Sequence, residues 1–299
     1  MTRQLVFLHG RSQQGKNSIN LKKEWIDAWQ VGLDKSGLKM PIEESQIHFP
    51  FYGDTLDQLT NGISEEEAAN IIIRGKNIYK EDESISKEEE AFIKQYLKQV
   101  QHASGISNAQ IDSELPIKEK GVLNWPWVQA FLSLLDKNVP GASGISVAIF
   151  TRDVYSYLTD TNIRQKMDTG VQSALNFGSE SIMVSHSLGT VIAYNVLRQA
   201  GLETNVPLFI TLGSPLAVNI VKKRIAPIAH PKCAKHWFNA MDQRDVVALF
   251  PLDTDNFDVD PIIENKTDVD NPTANRHGIS GYLGDRDVAY RIYEALTAP

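Results

Sequence analysis

The chain has 299 residues, 42% of them hydrophobic and 22% charged, with 30 Lys and Arg against 37 Asp and Glu for a net charge of −7. This length and apolar content exclude a fibrous or disordered chain and suit two domains, or one large α/β domain with an insertion. The acidic balance argues against a nucleic-acid partner, which needs a basic face.

A single cysteine, Cys233, excludes an internal disulfide and fits a reducing compartment. Four apolar residues before His9 are too few for a secretory signal core, and no run approaches about 18 apolar residues. A cytoplasmic protein without a transmembrane segment is expected.

In chain order, residues 4–8 read as a buried strand that ends at His9-Gly10. A helix is expected over residues 19–35, with Leu21, Trp25, Ile26 and Trp29 on one stripe. Residues 46–49 read as a second strand, stopped by Pro50. Residues 61–120 carry 12 acidic and 8 basic side chains and read as an inserted helical segment with solvated faces. Two capping boxes are expected there, Ser64 with Glu67 and Ser86 with Glu89.

The apolar stretch 125–135 suits a core helix. Alternatively, Trp125, Trp127 and Phe131 line a substrate pocket. Strands are expected at 145–150, 181–185, 208–212 and 236–241, with helices at 162–177, 188–199 and 287–296. This alternation predicts an α/β fold whose central sheet is mostly parallel, with helices on both faces and an inserted helical cap. The core is assigned to 1–54 and 145–299, and the insertion to 55–144.

The strongest local signal is Ser185-His186-Ser187-Leu188-Gly189, set between a strand and a helix. A serine nucleophile projects from a very sharp strand-to-helix turn, so the residues two before and two after it must be small. The helix that follows supplies N–H groups for a developing oxyanion. A Ser-rich turn that merely caps a helix has the same composition.

Such a serine needs a base, and the base needs an orienting acid. In this kind of sheet the acid follows a later strand and the histidine follows the acid. Asp245 and Asp242 both lie just past the strand at 236–241, with Asp245 preferred. After them one histidine of the seven remains, His277. The two oxyanion donors are expected to be the backbone N–H of Leu188 and that of Arg11 or Ser12.

Residues 10–17 nearly match a phosphate-binding loop, Gly-x4-Gly-Lys, but Asn17 stands where a Mg²⁺-ligating hydroxyl belongs. The acidic stretch 253–260 lacks the spacing of a calcium loop. No metal and no cofactor is expected.

Leu8-His9-Gly10, Ser185 to Thr190, Leu212-Gly213-Ser214-Pro215, Asp245-Val246-Val247 and His277-Gly278 together resemble the α/β-hydrolase superfamily. Within it, residues 187–194 and 211–215 are similar to intracellular lipase-like and phospholipase-like serine esterases. The resemblance covers about the first 20 residues and about 180–290, roughly half the chain. It departs from the usual pattern at Ser185, where glycine is the rule.

The resemblance implies Ser187 as nucleophile, His277 as base and Asp245 as acid, in a hydrolase acting on a small-molecule or lipid-like carboxylic ester. A thioesterase or acyltransferase of the same fold is the enzymatic alternative. A non-catalytic binding protein that kept the fold is the other.

Overall fold

The computed structural model describes residues 3–10, 17–51, 85–120, 123–175, 179–201 and 203–298. Among these residues six strands form one sheet: β1 (Gln4–Leu8), β2 (Ile47–His48), β3 (Glu180–His186), β4 (Asn205–Leu212), β5 (Ala234–Ala240) and β6 (Glu264–Lys266). Their order is β2-β1-β3-β4-β5-β6, and every neighbouring pair is parallel. The centres of β1, β3 and β4 are continuous apolar runs because both faces of the sheet are covered there.

Alternation along β1 divides its side chains between the two cores. Leu5 and Phe7 join Trp25, Trp29, Ile210 and Ile292. Val6 and Leu8 join Phe131, Met183, Leu188 and Phe209 on the other face. The first face is covered by α1 (Ser18–Asp34) and by two C-terminal helices, α9 (Ile279–Leu283) and α10 (Arg286–Thr297). The second is covered by α2 (Lys87–Ala103), α3 (Asn108–Ser113), α4 (Trp125–Asn138), α5 (Gly144–Thr159), α6 (Thr161–Ala174), α7 (Leu188–Gln199) and α8 (Asn219–Ile225). None of the described helices is long and apolar enough to cross a membrane.

Residues 145–150 are not a strand but the start of α5. The Ser143 hydroxyl caps this helix by accepting from the Ser146 N–H at 3.2 Å. Val147, Phe150, Val154 and Leu158 then fall on its buried side. A run of six residues, five of them apolar, is too short to fix a period, so strand and buried helix look alike until the helical spacing continues beyond it. The expected boundary at 144/145 therefore falls inside the first turn of α5.

The described part of the expected insertion adds to the cover of the sheet. Phe92, Tyr96, Phe131 and Leu135 are buried in the same cluster as Leu8 and Leu188. Ser86 caps α2 through the Glu89 N–H at 3.1 Å. Glu89 does not complete a capping box; its carboxylate lies 3.6 Å from Arg152 Nε on α5. The Ser64–Glu67 pair lies outside the described residues.

The strand order locates a crevice. From β1 the chain moves outward to β2, and from β3 it moves the other way, to β4. Ligands of open parallel sheets bind beyond the carboxyl ends of the strands at such a reversal. The segments leaving β1 and β3 meet there, at Gly10 and Ser187.

Candidate active site

Ser187 is the single residue between β3 and α7, with φ 57° and ψ −131°. A non-glycine residue there costs about 1–3 kcal/mol and persists only where its surroundings impose it. The Ser187 N–H donates to Leu212 O at 3.0 Å, and its carbonyl accepts from Thr190 N–H at 2.9 Å and Thr190 Oγ1 at 2.7 Å. Close packing sets the residue types around it. A Cβ on Gly189 would lie 2.4 Å from His9 O, and one on Gly10 would lie 2.7 Å from Ser187 Cβ. Ser185 occupies the usual glycine position without disruption: fully buried, its hydroxyl donates to Ile210 O on β4 at 2.9 Å.

Three predicted side chains meet at this turn. His277 Nε2 is 2.8 Å from Ser187 Oγ, and His277 Nδ1 is 2.7 Å from Asp245 Oδ2. An ionised carboxylate only accepts, so Nδ1 carries the imidazole proton and Nε2 presents a lone pair to the serine hydroxyl. Asp245 is 2% exposed, and its other oxygen accepts the Val247 N–H at 2.8 Å.

Asp242, the rival acid, is engaged elsewhere. It accepts from the Arg244 N–H at 2.8 Å, the Arg244 guanidinium at 3.0 Å and the Asn271 N–H at 2.9 Å. Burial works against its charge, but the hydrogen bonds from Arg244 and Asn271 outweigh it and hold the carboxyl below its ordinary value. Asp242 thus secures the turn that presents Asp245.

The loop carrying His277 is held on several sides. Asn275 Oδ1 accepts the His277 N–H at 3.2 Å, and Asn271 Nδ2 donates to Gly278 O at 2.9 Å. His186 has a defined role at the turn: its Nε2–H donates to the His277 carbonyl at 2.8 Å, with ring centroids 4.6 Å apart. Burial first, and His277 second, hold the His186 imidazole well below its ordinary value. Gly213, at φ 57°, passes beneath; a Cβ there would lie 3.1 Å from the His277 ring.

Leu188 opens α7, so its N–H is one of the unpaired donors of a helix amino terminus. Arg11 and Ser12 lie outside the described residues. Asn17 has a structural task that the phosphate-loop pattern did not suggest: its Oδ1 accepts from the Ile19 and Asn20 N–H groups at 2.9 and 3.2 Å, capping α1. Among the described residues no group of three or more His, Cys, Asp or Glu is placed to hold a metal ion.

A cavity of about 470 Å³ opens over Ser187 and His277, walled by Trp25 of α1, Val147 and Phe150 of α5, and Val247. Trp125, Trp127 and Phe131 do not line it. Trp127 and Phe131 stack on each other at 5.4 Å inside the core, and Trp125 packs against the same cluster. Aromatic side chains at helical spacing look the same in a core as in a pocket, so composition did not separate the two. Of the residues that do wall the cavity, Trp25 belongs to the stripe expected on α1, and Val147 and Phe150 to the segment expected as a strand.

Tyr282 also belongs to the site: its hydroxyl donates to Asp245 Oδ2 at 2.6 Å. No motif marks it; its signal is a position five residues after His277. Comparison of the chain with protein-family models, curated proteins and solved structures finds no match.

Proposed function

We propose that the chain is a serine hydrolase of the α/β-hydrolase type that cleaves carboxylic esters through an acyl-enzyme on Ser187. The observation that carries this reading is the hydrogen-bonded line Ser187 Oγ–His277–Asp245 on a strained strand-to-helix turn. A strained residue whose hydroxyl faces both a base and a cavity fits a nucleophile better than it fits a helix cap, and Ser187 makes no side-chain cap bond.

In this mechanism Ser187 Oγ attacks the ester carbonyl as its proton moves to His277 Nε2. Asp245 stabilises the imidazolium that forms and holds the ring in line. The Leu188 N–H, at the amino terminus of α7, serves the developing oxyanion. His277 then returns the proton to the leaving alcohol. Water activated by the same imidazole hydrolyses the acyl-enzyme. The other candidate nucleophile is Cys233, which is buried far along the chain from this turn; burial pushes its thiol up to about 11, leaving it un-ionised at neutral pH.

A thioesterase or acyltransferase would use the same three residues, so the distinction rests on the leaving group and the acceptor. The test is fluorophosphonate labelling of wild type beside Ser187→Ala and His277→Ala, followed by panels of p-nitrophenyl esters and acyl thioesters with and without added alcohol. Labelling and ester turnover in wild type alone support the ester-hydrolase reading. Faster thioester turnover, or transfer to the alcohol, selects a variant chemistry. A folded wild type that neither labels nor turns over any substrate leaves the binding-protein reading.

A further inference from the structure

Tyr282 lies in α9, five residues beyond His277, and is fully buried. Its hydroxyl donates to Asp245 Oδ2 at 2.6 Å, the same oxygen that accepts His277 Nδ1 at 2.7 Å. The hydroxyl oxygen in turn accepts the Asp242 N–H at 3.3 Å. The ring is wedged: a Cβ on Gly213 would lie 3.0 Å from Tyr282 Cε2, and the His186 ring centroid is 5.8 Å away. The phenol oxygen is therefore fixed, and so is the carboxylate oxygen it contacts.

We propose that Tyr282 is a positioning residue: its hydroxyl pins Asp245 Oδ2 in line with His277 Nδ1 and draws part of that oxygen's charge away from the imidazole. This rests on the serine-hydrolase reading for its catalytic meaning. A carboxylate oxygen has the lone pairs for two donors, and each donor weakens what the oxygen offers the other. With Tyr282 in place, Asp245 orients the ring while stabilising the imidazolium less than a singly bonded carboxylate would.

Tyr282 is suited to stay a donor. Burial, then the Asp245 charge, hold its phenol well above the ordinary value. Among the described residues, the other titratable groups facing the pair are His186 from the end of β3, Tyr96 from α2 and Asp242, which is bound by Arg244, with His9 just past β1 acting on His186.

The decisive experiment follows the titration midpoint of His277 by NMR in wild type, in Tyr282→Phe and in a protein carrying 3-fluorotyrosine at 282. The phenylalanine removes the donor and the fluorine strengthens it. The midpoint is expected to rise by roughly half to one pH unit in Tyr282→Phe and to fall with 3-fluorotyrosine. The acid limb of kcat/KM for p-nitrophenyl acetate should move in the same directions, with kcat reduced in Tyr282→Phe and KM little changed.

A midpoint that is the same in all three proteins, or that moves the same way in both variants, overturns the proposal. A wild type without Ser187-dependent turnover would sink the hydrolase reading, while the NMR midpoints would still decide the role of Tyr282. Should Tyr282→Phe not fold, the direction of the 3-fluorotyrosine shift decides alone.

Discussion

Gly10 and Ser187 touch where a side chain would not fit: a Cβ on Gly10 would lie 2.7 Å from Ser187 Cβ and 3.2 Å from its Oγ. Ser187 cannot retreat, because its N–H is tied to Leu212 and its carbonyl to Thr190. Gly10→Ala must therefore displace the segment after β1, the serine hydroxyl, or both. Labelling of Ser187 by a fluorophosphonate is expected to slow by about 10²-fold, the cost of misplacing a reacting group by about 1 Å. Overpacking of this size removes about 1–3 kcal/mol of stability, so the variant remains folded in thermal unfolding. A wild-type labelling rate would show that the contact has no bearing on the serine.

The two neighbouring aspartates give separable predictions. Asp245→Asn leaves an amide against His277 Nδ1 and no charge for an imidazolium, so esterase turnover should fall by about 10³–10⁴-fold. Asp242→Asn loses the charged bond to Arg244 but does not touch His277. It should cost about 1–3 kcal/mol of stability and spare most of the activity. The folded-state value of Asp242 lies below the ordinary 3.8. Its contribution is thus fully present above that value and is lost as pH falls through the folded one. Chemical denaturation of wild type and Asp242→Asn at about pH 3 and pH 6 should show a stability gap that narrows at the lower pH. Equal activity losses in the two aspartate variants would contradict the assignment of Asp245.

Parts of this site were legible in the sequence for physical reasons, and other parts were not. A nucleophile turn demands small residues at 185 and 189, and a strand-turn-helix context can be read from apolar runs. One histidine follows the acid, which left His277 without a competitor. Between Asp242 and Asp245 the sequence gives little, because both sit in one turn and the choice depends on which carboxylate Arg244 and Asn271 occupy. The aromatic residues at 125, 127 and 131 were ambiguous because burial in a core and burial against a ligand select the same side chains. Tyr282 was invisible because a single hydroxyl reaching one carboxylate oxygen leaves no pattern in the chain. A mostly parallel sheet followed from β–α alternation, whereas the short edge strand β6 carries too few apolar residues to stand out and α5 was obscured by its short, mostly apolar beginning.

His186 links the site to pH-dependent stability. Its folded-state value is held well below 6.5, by burial first and by His277 second, against the opposing hydrogen bond to the His277 carbonyl. The unfolded chain therefore takes up this proton first as pH falls. The stability contributed by neutral His186 is fully present above 6.5 and declines below it, by up to about 1.4 kcal/mol per pH unit, until the folded value is reached. His48 and His230, also lowered by burial, add to the same slope. His186→Gln keeps an amide donor for the His277 carbonyl but cannot titrate. Urea unfolding between about pH 7 and pH 5 should then lose stability less steeply than wild type, by about one proton. A slope equal to that of wild type would mean that His186 is protonated in the folded protein.

Phe131 and Phe150 share one hydrophobic cluster but face different surroundings, and this separates core from pocket experimentally. Phe131 is fully buried, stacked on Trp127, and has no place in the cavity wall. Phe150 is also buried, yet it walls the cavity, with its ring centroid 6.4 Å from that of His277. Phe131→Ala should cost about 3–5 kcal/mol in chemical denaturation, from lost burial and the cavity left behind. Molecules that remain folded should keep the wild-type preference among p-nitrophenyl esters of increasing chain length. Phe150→Leu trades one apolar side chain for a smaller one, so its stability loss is smaller, but the freed volume lies beside the reacting groups. Ester preference should shift toward a longer or bulkier acyl group, by about 10-fold in relative kcat/KM, the scale of one or two methylenes in an apolar pocket. If Phe131→Ala moved the preference and Phe150→Leu did not, the wall would run along α4 rather than α5, and the pocket would include the aromatic stretch at 125–131 after all.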